Sequence, residues 1–145
     1  MTEVNFHHNA GDPLAYACRL LHKAHQRGAR VAVTGAALAL GRLDELLWTF
    51  EPLAFVPHAR LRGGEAPSER LAPTPIWLVE RPEQAPSHEV LVNLGPAIAP
   101  GFESFERLFE IVGSEEAEKE SGRARYKLYR SRGYAIASHD LASHG

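Results

Sequence analysis

Between two amphipathic segments lies Arg30-Val31-Ala32-Val33-Thr34, a short apolar run without polar alternation, and no other stretch restricts the fold as much. A strand that offers water neither of its sides must be covered on both, as happens in a parallel sheet flanked by helices. The segment before it reads as such a helix. Asp12-Pro13 supplies a capping side chain and a proline at the first helical position. Leu14, Ala17, Cys18, Leu21 and Ala24 then recur with helical spacing, and Gly28 supplies the stop. After the run, Ala36 to Trp48 is expected to be a second helix, with Leu40, Leu43 and Leu47 in register. Strand–helix–strand–helix order implies right-handed crossovers and an α/β fold with a mostly parallel sheet.

The remaining elements follow from pattern. Thr2 to His7 is expected as a first strand, Ile76 to Val79 and Val90 to Leu94 as two more, and Leu108 to Val112 and Tyr134 to Ala137 as the last two. Phe102 to Arg107 reads as a short helix. Glu51 to Pro75, rich in Pro, Gly and Arg, reads as a long loop enclosing the apolar knot Phe55-Val56-Pro57-His58. Ordered loops of this length are often functional. With 145 residues, 44% hydrophobic and 23% charged, the chain is expected to form one domain over residues 1–145, with no linker or repeat. No apolar run reaches the ~18 residues of a bilayer span, and Met1-Thr2-Glu3 lacks the basic start of a signal peptide, so a cytoplasmic location is expected.

Several chemistries find no motif. Thr34 to Arg42 follows a strand but has neither the G-x-G-x-x-G spacing nor the G-x-x-x-x-G-K-[ST] arrangement of a phosphate loop. His7 and His8 should point to opposite faces of their strand, and His22 and His25 are three apart on a helix. Neither pair has a carboxylate at metal-site spacing, so surface or capping histidines are expected. No nucleophile elbow places a serine. Asp44 and Glu45 are adjacent, hence do not face one another, and are expected in solvent. Cys18, the single cysteine, reads as a small buried thiol. The reading is a chain without catalytic residues, metal or cofactor.

What the sequence does offer is Arg123-Ala124-Arg125-Tyr126-Lys127-Leu128-Tyr129-Arg130-Ser131-Arg132-Gly133. Five of these eleven residues are basic, in a protein whose formal charge is −2. On a helix opened by Glu115 and Glu116 and closed by Gly133, Lys119, Arg123, Tyr126, Lys127 and Arg130 fall within roughly 100° of one another. Ala117, Ser121, Ala124 and Leu128 lie opposite, suited to packing on a sheet. Cations around an aromatic ring fit an acidic segment with an apolar residue, such as a peptide tail ending in a carboxylate. A solvated basic face is the plainer alternative. Gly122 should either kink this helix or delay its start.

Leu43-Asp44-Glu45-Leu46-Leu47-Trp48, then Phe55-Val56-Pro57-His58, then Arg123 to Arg130 together resemble the chi subunit of the bacterial DNA polymerase III holoenzyme, over essentially the full length. The resemblance implies a Rossmann-like three-layer sandwich and a non-catalytic accessory subunit of the clamp-loader assembly. It implies two partners: a psi subunit, and the acidic C-terminal tail of single-stranded DNA-binding protein. By motif position, the tail would meet Val112, Lys119, Arg123, Tyr126, Lys127 and Arg130. The psi subunit would meet Trp48, Phe55, Val56, Pro57 and His58.

Two other classes stay open at this stage. A small nucleotide-binding α/β enzyme would need a glycine loop after the first or second strand. A direct single-stranded DNA-binding module would need several stacking aromatics along a continuous positive groove, and the basic helix offers Tyr126 and Tyr129.

Overall fold

A computed structural model describes residues 1–49, 55–63 and 65–144. Seven strands and three helices follow in the order β1 (Glu3–Ala10), α1 (Pro13–Gln26), β2 (Val31–Thr34), α2 (Ala37–Thr49), β3 (His58–Leu61), β4 (Ile76–Val79), β5 (Val90–Asn93), β6 (Arg107–Gly113), α3 (Glu116–Ser131) and β7 (Ile136–Asp140). The strands form one sheet in the order β3-β4-β2-β5-β6-β1-β7, and every described pairing is parallel. The mostly parallel sheet expected from the strand–helix alternation and the three-layer sandwich that the resemblance implies are both observed.

All four residues of β2, β4 and β5 are buried, as their unbroken apolar runs require. On one face Ala17, Cys18 and Leu21 of α1 and Leu40, Leu43 and Leu47 of α2 pack on Val31, Val33, Ile76, Leu78, Val90 and Val92. On the other, Phe102, Phe105 and Tyr129 close over Val4, Phe6, Trp77, Leu91 and Leu108. α1 begins as its sequence dictates: the Ala15 N–H donates to the Asp12 carboxylate at 3.1 Å, with Pro13 in the first turn.

Four expectations need correction. His58–Leu61, inside the segment read as irregular, is an edge strand paired with β4; four residues beside a proline are too few to show a period. Residues 51–54 and 64 of that segment lie outside the described residues. Phe102 to Arg107 is one 3₁₀ turn over Phe102–Ser104, after which Arg107 already belongs to β6. The last strand is Ile136–Asp140, not Tyr134 to Ala137, because the chain needs Gly133 to Ala135 to return to the sheet. Finally, α3 runs unbroken from Glu116 to Ser131 across Gly122. A Cβ on Gly122 would sit 2.8 Å from Val112 Cγ1, so the glycine is where the helix touches the sheet.

Candidate functional site

α3 crosses β6 and β1 on the face away from α1, and its outer flank borders a groove of about 440 Å³. Lys119, Arg123, Tyr126 and Lys127 form the helix side of this groove. Val112, Phe6 and Gly122 supply apolar surface, and the Tyr126 ring stands edge-on to Phe6 at 5.4 Å between centroids. His8, Asn9 and Ser138 complete the rim. His8 and Asn9 stand there because β1 shifts register against β6 between His7 and Ala10. Asn9 has φ 61, a conformation asparagine tolerates better than most residues, and its amide donates to Asp140 at 2.8 Å.

The groove's cations remain largely free for a guest. Among the described residues Lys119 and Lys127 make no ion pair within 4.0 Å, and Arg123 reaches only Glu116, at 3.6 Å and in solvent. Exposed pairs of this kind contribute at most about 1 kcal/mol.

The inner side of α3 differs from the small apolar face expected. Ala117 and Ala124 are exposed, whereas Gly122, Arg125 and Tyr129 are buried. The reason is Glu110 of β6, itself fully buried. Its carboxylate accepts from Arg125 Nε at 3.1 Å, from the Tyr129 hydroxyl at 2.5 Å and from Asn93 Nδ2 at 3.1 Å. Arg125 also donates to Ser121 Oγ at 2.9 Å and to the Pro96 carbonyl. Burial pushes the Glu110 carboxyl above its usual range, while Arg125 and the hydrogen bonds pull it back. Burial and the neighbouring Glu110 charge likewise raise the Tyr129 phenol, which stays protonated. This cluster bolts the helix to the sheet and fixes which way its cations face.

A second feature lies at the end of α2. The Trp48 and Phe55 rings stack at 5.0 Å while remaining 60% and 49% exposed, so they do not close the local core. Val56 is buried, and the His58 side chain is almost wholly covered behind the pair. His58 bridges the Asp44 carboxylate and the Val56 carbonyl at 2.8 Å each, holding the aromatic corner to α2. The expectation of a surface or capping histidine fails for His7, which is 9% exposed. Among the described residues no group of three or more His, Cys, Asp or Glu is placed to hold a metal, and no helix is long and apolar enough to cross a membrane.

The family model for "DNA polymerase III chi subunit, HolC" matches residues 1–137. The chain belongs to the DNA polymerase III chi subunit family. It is 35% identical to the DNA polymerase III subunit chi of Pseudomonas aeruginosa, over 97% of this chain and 98% of that one. Identity to the subunit of the same name from Haemophilus influenzae is 33%, covering 86% and 85% of the two chains, and to that of Escherichia coli 31%, covering 66% and 62%.

Within this chi-family fold, five of the six residues named for the tail (Val112, Lys119, Arg123, Tyr126 and Lys127) line one groove. Arg130 is exposed but lies outside its lining. Of the five named for a subunit interface, Trp48 and Phe55 present surface, Pro57 is half-buried, and Val56 and His58 are inside. Phe6, His8, Asn9, Gly122 and Ser138 were not anticipated. Ser138 lies past the expected end of the last strand, and the register shift that places His8 and Asn9 has no sequence mark beyond an asparagine near a strand end.

Proposed function

We propose that this chain is a non-catalytic accessory subunit of the replicative polymerase's clamp-loader assembly. In this reading it ties the assembly to single-stranded DNA-binding protein by holding that protein's acidic C-terminal tail in the α3 groove. The observation that carries the reading is the groove itself: along one wall stand Lys119 and Lys127 without an ion pair among the described residues and Arg123 with only an exposed one to Glu116, with Val112, Phe6 and Tyr126 offering an apolar seat between them. Arg123 and Lys127 pair with the terminal carboxylate and acidic side chains, and the tail's last apolar residue enters beside Tyr126. Because Arg123 is 62% exposed, each ionic contact is weakened by solvent, and affinity falls as salt rises.

The exposed Trp48–Phe55 stack is the surface offered to a psi subunit, with Pro57 at its margin and Val56 and His58 supporting it from within. Direct DNA binding by α3 is disfavoured by the burial of Tyr129, which leaves a single ring on that surface. A nucleotide-binding enzyme has no glycine loop after β1 or β2.

The test is a titration of a synthetic acidic tail peptide, with and without its final apolar residue, against the wild type and Arg123→Ala/Lys127→Ala. Binding that requires both cations and the final residue supports the reading. Equal affinity in the variant removes the groove from consideration.

A further inference from the structure

On the α1 side, a cleft of about 610 Å³ runs between α1 and the strands β5, β6, β1 and β7, away from the α3 groove. Arg19, Lys23 and Arg27 line one wall. They are spaced four residues apart, Arg19 and Lys23 about 6 Å from one another along one face of α1 and Arg27 at its C-cap. None of the three is in an ion pair within 4.0 Å among the described residues. The acids of the cleft, Glu89 and Glu106, lie at its Arg27 end, where β5 and β6 begin, and Glu89 already accepts the Arg30 N–H at 2.6 Å.

His7, Phe109 and His139 line the strand side, and Tyr16 of α1 meets them. His7 stands 4.7 Å from His139, 5.4 Å from Phe109 and 5.5 Å from Tyr16, and Arg19 lies 5.7 Å from the Tyr16 ring centre. His7 is more than nine-tenths buried, its Nδ1 faces the Tyr16 hydroxyl, and its Nε2 has no hydrogen-bond partner. Such a buried nitrogen is available to a ligand's donor or acceptor. Burial and the neighbouring His139 and His8 push the His7 pKa down to about 4, so at neutral pH it is an uncharged ring beside cations supplied by α1.

The geometry points to this cleft as a subsite for a short stretch of single-stranded DNA, with phosphates along Arg19, Lys23 and Arg27 and a base against the His139–His7–Phe109 rings. The α3 surface also carries a row of cations but only one ring beside it, whereas cations facing several rings are what single-strand binding uses. A purely acidic peptide would use the cations and leave the rings without a partner. This inference goes beyond the tail-binding reading and stands without it.

Fluorescence anisotropy with a short labelled oligothymidylate at low salt tests it, using the full chain. The wild type is expected to show saturable binding whose logarithm falls linearly with log salt. Removing two phosphate contacts in Arg19→Ala/Lys23→Ala should flatten that slope by about 1.4, at ~0.7 per phosphate on a single strand. His139→Ala should weaken binding without changing the slope, and Arg123→Ala/Lys127→Ala should leave the curve unmoved while abolishing tail-peptide binding. Absence of saturable binding, a slope unchanged in the α1 variant, or displacement by a polyglutamate peptide at equal charge would each overturn the proposal; the last would give the cleft to an acidic protein segment.

Discussion

Arg125 and Arg123 sit two residues apart on α3, carry the same charge and have opposite surroundings, which makes their alanine variants a sharp pair. Arg125→Ala deletes the Nε bond to Glu110, the bond to Ser121 and the bond to the Pro96 carbonyl, and leaves a fully buried carboxylate facing only Tyr129 and Asn93. Stranding one half of a buried ion pair costs about 3–5 kcal/mol. For a chain of this size that lowers Tm by roughly 10–15 °C. Arg123→Ala, which removes only an exposed contact of 3.6 Å to Glu116, should change stability by less than ~0.5 kcal/mol. Thermal unfolding followed by circular dichroism measures both. The double variant Glu110→Gln/Arg125→Met should recover part of the loss, since no unpaired charge remains inside. A Tm within a degree or two of wild type for Arg125→Ala would show that the cluster does not anchor the helix.

Three further outcomes follow from the same contacts. Trp48→Ala should leave Tm nearly unchanged, because the ring is 60% exposed, while weakening capture of a psi subunit by about 2 kcal/mol or more in a binding titration. His7 has its pKa lowered from 6.5 to about 4, so the unfolded chain takes up the proton first; stability contributed by the neutral ring is complete above pH 6.5 and is lost as pH falls towards 4. Denaturation midpoints at pH 7 and pH 5 should therefore differ more for the wild type than for His7→Phe. Cys18 is fully buried with its thiol pushed up to about 11, so maleimide labelling at neutral pH should proceed only at the rate of unfolding.

Much of this architecture is legible from residue order. The unbroken run at β2 demanded two covered faces, and Asp12-Pro13 marked the start of α1. Features decided by distant partners were not. Arg125 and Tyr129 look like members of a solvated basic face until Glu110, fifteen and nineteen positions earlier and on another element, draws them inward. That pull rotates α3 relative to the arrangement its small residues suggest, leaving Ala117 and Ala124 outside. The cationic edge survives the rotation because Lys119, Arg123 and Lys127 span the boundary between its buried and exposed sides. Gly122 looked like a defect and is a contact point, a distinction that depends on Val112 across the interface. β3 was missed because an isolated edge strand of four residues gains its identity only from β4 beside it.

The central claim is that the α3 groove receives the acidic tail of another protein. Nuclear magnetic resonance of the isotopically labelled chain, titrated with that tail peptide, tests it most directly. Shifts concentrated at Phe6, Val112, Gly122, Arg123 and Tyr126, and absent from Trp48 and His7, are the predicted result. Shifts confined to the α2 corner or the α1 cleft, with the groove silent at saturation, would contradict it.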